Sequence, residues 1–360
     1  MPKFHSLRVK DIRQETSDCV SVNFEVPEEL KEAYAFTQGQ YLTLRTGLDG
    51  EDTRRSYSIC SGVDDGELRV AIKQVEEGLF STYANKVLKV GDELKVMTPM
   101  GNFFTPLDAQ NEKHYVAFVA GSGITPVLSL IKTTLKKEPK STFTLFYTNS
   151  RVKTIIFREE LEDLKDTHMG HLRLFHLLTQ EPSETPIMAG RMDKDKCLKL
   201  TESILDVDSA DTFFLCGPAE MIMDVRAALE EKGVPKEKVH FELFTAPGMK
   251  KESAPKAEMK KKDFTGKMSH VEVILDGSRL QFDLPYDGAS VLDTALSKGA
   301  DLPFSCKGGV CCTCRAKLIE GEVEMDLNYS LEPDELERGF ILTCQSHPRT
   351  ERIVVDFDHQ

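Results

Sequence analysis

Along the first hundred residues apolar and polar positions alternate in short runs: LRVKDI, VSVNFEV, YLTLRT, LRVAIKQV and DELKVM. A period of two puts successive side chains on opposite faces of a strand, one dry and one wet. Gly, Asp and Pro separate the runs at the spacing of short antiparallel strands, which predicts a barrel or sandwich. Near residue 110 the pattern changes. HYVAFVAG is continuously apolar, ends in glycines and leads into PVLSLIKTTLKK, which has helical spacing. FTLFYT, LRLFHLL, TFFLCGP and HFELF then read as strands, with IIFREELEDLKD and AEMIMDVRAALEEKG as helices among them. Apolar strands alternating with helices predict a parallel sheet covered on both faces.

TAPGMKKESAPKAEMKKKDF has neither period and reads as a linker. Beyond it SHVEVILDG and RLQFDL return to strand patterning, with the helical SVLDTALSKG behind them. The expected organisation is a β domain over 1–108, an α/β domain over 109–244, a linker over 245–265 and a small α+β domain over 266–360.

Charge and cysteine content narrow the function. A formal net charge of −13 argues against nucleic acid or an anionic membrane as partner, since both reward a basic surface. No window is apolar enough for a membrane-spanning helix, and MPKFHSLRVKDIRQETSD lacks the apolar core of a signal peptide, so a cytoplasmic protein is expected. The nine cysteines are odd in number and unevenly spread. That pattern suits metal binding or thiol chemistry better than a disulfide framework.

Four of them fall in CKGGVCCTC. Cys306, Cys311 and Cys314 form C-x4-C-x2-C, and Cys344 follows in LTCQ. A zinc ribbon wants two C-x2-C pairs, and only one is present. The spacing is the ligand pattern of a plant-type [2Fe–2S] cluster, for which four thiolates must converge on two irons. Cys312 falls outside the spacing and is expected to be a non-ligand. Gly308 and Gly309 are expected to let the loop wrap the cluster and bring backbone N–H groups to sulfur.

Weaker signals lie upstream. Arg55-Ser56-Tyr57-Ser58 offers a guanidinium for phosphate, a ring to stack and a hydroxyl to donate, as a flavin needs, although an ordinary exposed strand reads the same way. In EEGLFSTYANKVL, Gly78 precedes a helix with Ser81 and Thr82 in its first turn, suited to capping or to an anion. VAGSGITPVLSLI places Gly121, Gly123 and Pro126 between a strand and a helix, a variant of the dinucleotide turn. After FTLFYT stand Asn149, Ser150, Arg151 and Lys153, with no acid for a ribose 2′-hydroxyl. That favours a 2′-phosphate, hence NADPH over NADH. Cys216-Gly217-Pro218 ends a later strand, as a core cysteine or as a turn facing nicotinamide.

The order Arg-x-Tyr-Ser, Gly-x-x-Ser, Gly-x-Gly-x-x-Pro, Cys-Gly-Pro resembles the ferredoxin–NADP reductase superfamily, and the tail resembles a plant-type ferredoxin. With the ferredoxin part last, the chain looks like the reductase component of a multicomponent oxygenase. The resemblance implies an antiparallel β-barrel flavin domain, a parallel-sheet nucleotide domain and a β-grasp ferredoxin domain. It implies Arg55 on flavin phosphate, Tyr57 stacked on the ring, and Gly78, Ser81 and Thr82 around the pyrophosphate. Gly121, Gly123, Thr125, Pro126, Gly217 and Pro218 would line the nicotinamide-nucleotide pocket, with Ser150 and Arg151 at its far end. Ser58, Cys216 and Glu242 would stand at the reacting centre. Phe244 takes the place of the tyrosine that ends plant reductases, keeping the ring and losing the hydroxyl. The expected cofactors are FAD rather than FMN, NADPH rather than NADH, and a [2Fe–2S] cluster. The expected partner is an oxygenase, either a di-iron epoxidase or a Rieske enzyme; the competing reading is a non-catalytic flavin and iron–sulfur redox sensor. Residues 267–360 hold 17 Asp and Glu against nine Lys and Arg, a net −8 that suits a basic partner or solubility alone.

Overall fold

The structure is a computed structural model that describes residues 3–183, 185–244 and 266–359. The expected linker, 245–265, lies outside the described residues. Two compact units are present, the larger carrying most of residues 4–244 and the smaller the described C-terminal part.

The larger unit starts with six antiparallel strands: β1 (Phe4–Thr16), β2 (Cys19–Glu25), β3 (Tyr41–Leu48), β4 (Glu51–Ser58), β5 (Leu68–Lys73) and β6 (Glu93–Met97). Their order is β4-β3-β6-β1-β2-β5. A bridge between Ile59, just past β4, and Val70 on β5 joins the two outer strands, so the sheet closes into the expected barrel. The alternation read from sequence fills it, with Leu7, Val9, Val20, Val22, Leu42, Leu44, Val70 and Ile72 buried in one cluster. Helix α1 (Leu79–Lys86) plugs this core with Phe80 and Ala84.

The second sheet is parallel: β7 (His114–Ala120), β8 (Thr142–Asn149), β9 (Leu172–Leu178), β10 (Thr212–Gly217) and β11 (Val239–Leu243), in the order β11-β10-β7-β8-β9. Helices α2 (Ile124–Lys137), α3 (Arg158–Thr167), α4 (Lys194–Ser203) and α5 (Ala219–Glu231) connect the strands. Tyr115, Ala117 and Val119 join the core with α2. Val116 and Phe118, which alternate with them, are also buried, so both faces are covered. On that other face Phe118, Phe146 and Phe175 stack at 4.9 and 5.1 Å between centroids.

Glu138, at the end of α2, is fully buried. Its carboxylate accepts from Asp108 N and Tyr115 Oη, both at 2.9 Å, from Asn111 Nδ2 at 2.6 Å and from Ser141 Oγ at 2.7 Å. The connector from barrel to parallel sheet is fixed there. Burial pushes the Glu138 carboxyl up, but the bonds from Asn111, Asp108, Ser141 and Tyr115 outweigh it and hold the group below its ordinary range.

The smaller unit is a mixed sheet with a helix across it, as a β-grasp domain requires. Its strands are β12 (Met268–Leu275), β13 (Ser278–Pro285), β14 (Arg315–Glu320), β15 (Val323–Met325), β16 (Phe340–Leu342), β17 (Ser346–Pro348) and β18 (Arg352–Asp356). The main sheet runs β13-β12-β18-β14-β16, with β12 and β18 parallel. Asp276 (φ 49°) and Gly277 (φ 72°) turn the β12–β13 hairpin, and both donate to the Asp358 carboxylate, at 2.8 and 2.9 Å. Helix α6 (Val291–Ser297) is capped by Ser290, whose Oγ accepts from Asp293 N at 3.1 Å. Val291, Leu292 and Ala295 of α6 pack with Val271, Val273 and Val355 of the sheet. A five-residue helix, α7 (Pro333–Glu337), follows β15. Among the described residues no helix is long and apolar enough to cross a membrane.

Candidate functional site

The barrel and the parallel sheet bring three expected residues together. Ser58, at the end of β4, donates from Oγ to Glu242 Oε2 at 3.2 Å across a separation of 184 residues. Glu242 on β11 is in register with Cys216 on β10. Cys216 is buried, and burial raises its thiol well above the ordinary value. Burial also pushes the half-buried Glu242 up to about 7, against the opposing bond from Ser58. Phe244 packs on the core that contains Cys216.

On β4, Tyr57 lies 5.6 Å from the ring of Phe80, which ties the strand to the first turn of α1. Arg55 donates from Nη1 to the carbonyl of Arg54 at 2.7 Å. Gly78 caps α1, and a Cβ there would come within 2.4 Å of Ser81 Oγ. That hydroxyl closes the turn, accepting from Val75 N and donating to Gly78 O, both at 3.2 Å. Thr82 Oγ1 accepts from Gln74 Nε2 at 3.4 Å.

The glycine turn after β7 is packed backbone to backbone on the turn after β10. A Cβ at Gly123 would lie 2.3 Å from Cys216 O, and one at Gly217 would lie 2.9 Å from Met221 Cε. Gly121 has φ 54°, and its carbonyl accepts from Tyr147 Oη at 2.9 Å. Thr125 Oγ1 donates to Ser122 O at 3.0 Å, and Pro126 lies in the first turn of α2 behind it. Pro218 caps α5. Beside this cradle, at the end of β8, the buried Thr148 Oγ1 has no hydrogen-bond partner among the described residues. Such groups are costly unless a ligand or water bonds them, so the site fits a polar nucleotide.

The loop beyond β8 differs from its sequence reading in one respect. Ser150 Oγ bonds Thr154 Oγ1 at 3.0 Å and Arg151 Nε donates to Gln180 Oε1 at 3.3 Å. Val152 N donates to Glu181 Oε2 at 3.0 Å, so an acid does reach this loop, supplied by the segment after β9.

The four expected cluster thiols form two pairs. Cys306 is hydrogen-bonded to Cys311, and Cys314 to Cys344. Among the described residues no three His, Cys, Asp or Glu side chains are arranged around one ion. Two pairs are what two bridged irons need, each taking two thiolates, whereas zinc needs four ligands about one centre. Hydrogen bonds from the Cys311 thiol and then from the N–H groups of Gly308, Val310 and Cys311 bring Cys306 down to about 6. The Cys314 thiol, then the Gln345 side chain and Gly309 N–H, lower Cys344. Contact with their partners, then burial, raises Cys311 and Cys314. Cys312 turns away and donates to Ser330 O at 3.3 Å. The left-handed residues of the loop are Lys307 (φ 52°) and Gly309 (φ 73°), not the glycine pair. A Cβ at Gly309 would meet Leu327 O at 2.9 Å.

Three domain families match in this order: an oxidoreductase FAD-binding domain over residues 6–105, an oxidoreductase NAD-binding domain over 118–227, and a 2Fe-2S iron-sulfur cluster binding domain over 273–349. One of the subunits of 1,2-phenylacetyl-CoA epoxidase from Escherichia coli (strain K12) is 43% identical over 358 residues, covering 99% of both chains. The chain belongs to the ferredoxin–NADP reductase superfamily. The ferredoxin reductase component of 3-ketosteroid-9-alpha-monooxygenase from Rhodococcus rhodochrous is 32% identical, covering 98% of this reductase and 96% of that protein. The solved phthalate dioxygenase reductase has the same fold, with a TM-score of 0.59, 23% identity and 98% coverage of both chains. The reductase is thus an NAD(P)H-dependent oxidoreductase that uses FAD and a [2Fe–2S] cluster.

Several residues of the reductase gave no sign in sequence. Glu138, Glu181 and Gln345 act through partners that a linear reading does not connect. Thr148 could have been suspected, since polar residues are unusual at the end of a strand buried on both faces.

Proposed function

We propose that this reductase takes electrons from NADPH and delivers them to the oxygenase component of phenylacetyl-CoA epoxidase. The observation that carries this reading is the 43% identity, end to end, with a component of that epoxidase. The bound groups supply the redox chemistry, hydride acceptance by flavin and one-electron exit through the cluster; the chain positions them.

Tyr57 and Ser58 hold the flavin ring, Arg55 its phosphate, and Gly78, Ser81 and Thr82 its pyrophosphate. Ser58, Cys216 and Glu242 face the reacting atoms, where Glu242 holds or releases a proton near neutrality. Phe244 covers that face. Gly121, Gly123, Thr125, Pro126, Gly217 and Pro218 admit the nucleotide, and Ser150 with Arg151 grips a 2′-phosphate. Cys306, Cys311, Cys314 and Cys344 hold the cluster. The labour divides at 1–108, 109–244 and 266–360, joined through 245–265.

The test supplies reductase, NADPH, oxygen and phenylacetyl-CoA to the epoxidase's oxygenase component and measures epoxide. Turnover is expected. Turnover only with a Rieske oxygenase would move the partner, and failure to reduce any acceptor would favour the redox sensor.

A further inference from the structure

The side chain of Gln345 is buried beside the cluster thiols, next to Cys344 in sequence. Its Nε2 lies 3.0 Å from Lys307 O, 3.0 Å from Cys344 O and 3.5 Å from Cys344 Sγ. Both carbonyls only accept, so the amide nitrogen, not its oxygen, faces them. One hydrogen serves Lys307 O, and the other is shared between the oxygen and sulfur of Cys344.

The bond to Lys307 reaches further than it first shows. Lys307 O and Gly308 N–H belong to one planar trans peptide and point in opposite directions. Gly308 N donates to Cys306 Sγ at 3.3 Å. Holding the oxygen therefore aims the N–H at sulfur. The hold is needed because Lys307 is a non-glycine residue in the left-handed region, with φ 52°. The Gln345 main chain fixes the other side of the loop, accepting from Asp326 N at 2.9 Å.

We propose that Gln345 is a positioning residue that sets the reduction potential of the cluster by holding one ligand from each thiol pair: Cys344 directly, and Cys306 through the Lys307–Gly308 peptide. The inference rests on Cys306 and Cys344 being ligands. Reduction adds negative charge to the cluster, so donors to sulfur favour the reduced form. Removing Gln345 makes the cluster harder to reduce.

The test compares full-length holoprotein with Gln345→Met, which keeps the bulk and loses the donor, and Gln345→Glu, which replaces the donor by an acceptor. Spectroelectrochemical titration of the cluster absorption reads the effect. In Gln345→Met the reduced-to-oxidised ratio at fixed poise should fall about tenfold, a midpoint lower by about 59 mV, with a larger fall in Gln345→Glu. A purely structural role would change how much cluster is retained but not the potential of what remains. A Gln345→Met midpoint equal to wild type overturns the proposal.

If the variants lose their cluster, wild type grown with side-chain ¹⁵N-glutamine decides by pulsed EPR of the reduced cluster. A glutamine nitrogen coupling supports the proposal, and its absence overturns it. Cys344→Ser separates the underlying reading: an unchanged two-iron spectrum there removes the ligand assignment itself, whereas a lost spectrum beside an unmoved Gln345→Met midpoint removes only the role of Gln345.

Discussion

Replacing Glu138 by Gln should be among the most damaging single-atom changes in the reductase unit. The carboxylate accepts four hydrogen bonds in a fully buried site, from Asp108 N, Asn111 Nδ2, Tyr115 Oη and Ser141 Oγ. The amide oxygen can still take Asp108 N and Asn111 Nδ2, and the NH2 can donate to the Tyr115 and Ser141 hydroxyls once these rotate, so what is lost is the charge that strengthens all four bonds. Weakening four charged hydrogen bonds to neutral ones, by about 1 kcal/mol each, costs about 4 kcal/mol. For a unit of this size that lowers Tm by about 8–16 °C.

The assay is thermal release of flavin fluorescence at pH 7. Tyr115→Phe removes one of the four bonds and should cost less. In the Glu138→Gln background its cost should shrink, because the two sites share a bond. The pH dependence has a definite sign. The native carboxyl is held below its unfolded value, so its contribution is complete above the unfolded pKa and fades as pH falls through the native one. The gap between wild type and Glu138→Gln should therefore be full at pH 7 and narrow below about pH 4.5. A Glu138→Gln protein melting within about 2 °C of wild type at pH 7 would refute the reasoning.

Three further outcomes are expected. Arg151→Ala should raise KM for NADPH about tenfold or more and leave NADH nearly unchanged, since only NADPH loses a charge-assisted contact; a wild-type preference for NADH would end the 2′-phosphate assignment. Gly123→Ala should abolish pyridine-nucleotide reduction of the flavin while FAD stays bound, because its Cβ would overlap Cys216 O at 2.3 Å; normal stopped-flow rates would show that the turn yields. Ser replacements of Cys306, Cys311, Cys314 and Cys344 should each lose the two-iron spectrum while Cys312→Ser keeps it, and loss in Cys312→Ser alone would shift the ligand by one residue.

The architecture was legible where periodicity was strong. The barrel's alternation and the fully apolar HYVAFVA run each survive into the structure, because burial on one or both faces leaves a direct trace in the pattern. Helix α4 left none: of its ten residues only Cys197 and Leu200 are buried, so it carries almost no apolar stripe. The helix expected to begin at Ile155 begins at Arg158, since Phe157 takes a left-handed conformation (φ 58°) and Ile155 to Phe157 pack into the core as a turn ahead of the helix. In the sites, spacing revealed the thiols because a cluster fixes its ligands locally. Glu181 meets Val152 across 29 residues and Glu138 meets Asn111 across 27, contacts that depend on topology rather than on any local pattern.

The two thiol pairs also impose an order on the protein's synthesis. Cys306, Cys311 and Cys314 are made close together, whereas Cys344 follows Cys314 by 30 residues. At ribosomal speed that interval lasts about 2–6 s. During it the nascent chain offers one complete pair and one orphan thiol, without Gln345 to set the loop. Iron supplied in that window meets an incomplete site, and oxidants meet adjacent Cys311 and Cys312 before either is packed away. The cell therefore gains by delivering the cluster only after this stretch has been made and folded, and crowding of half-made chains under rapid expression should yield protein that holds flavin but lacks iron.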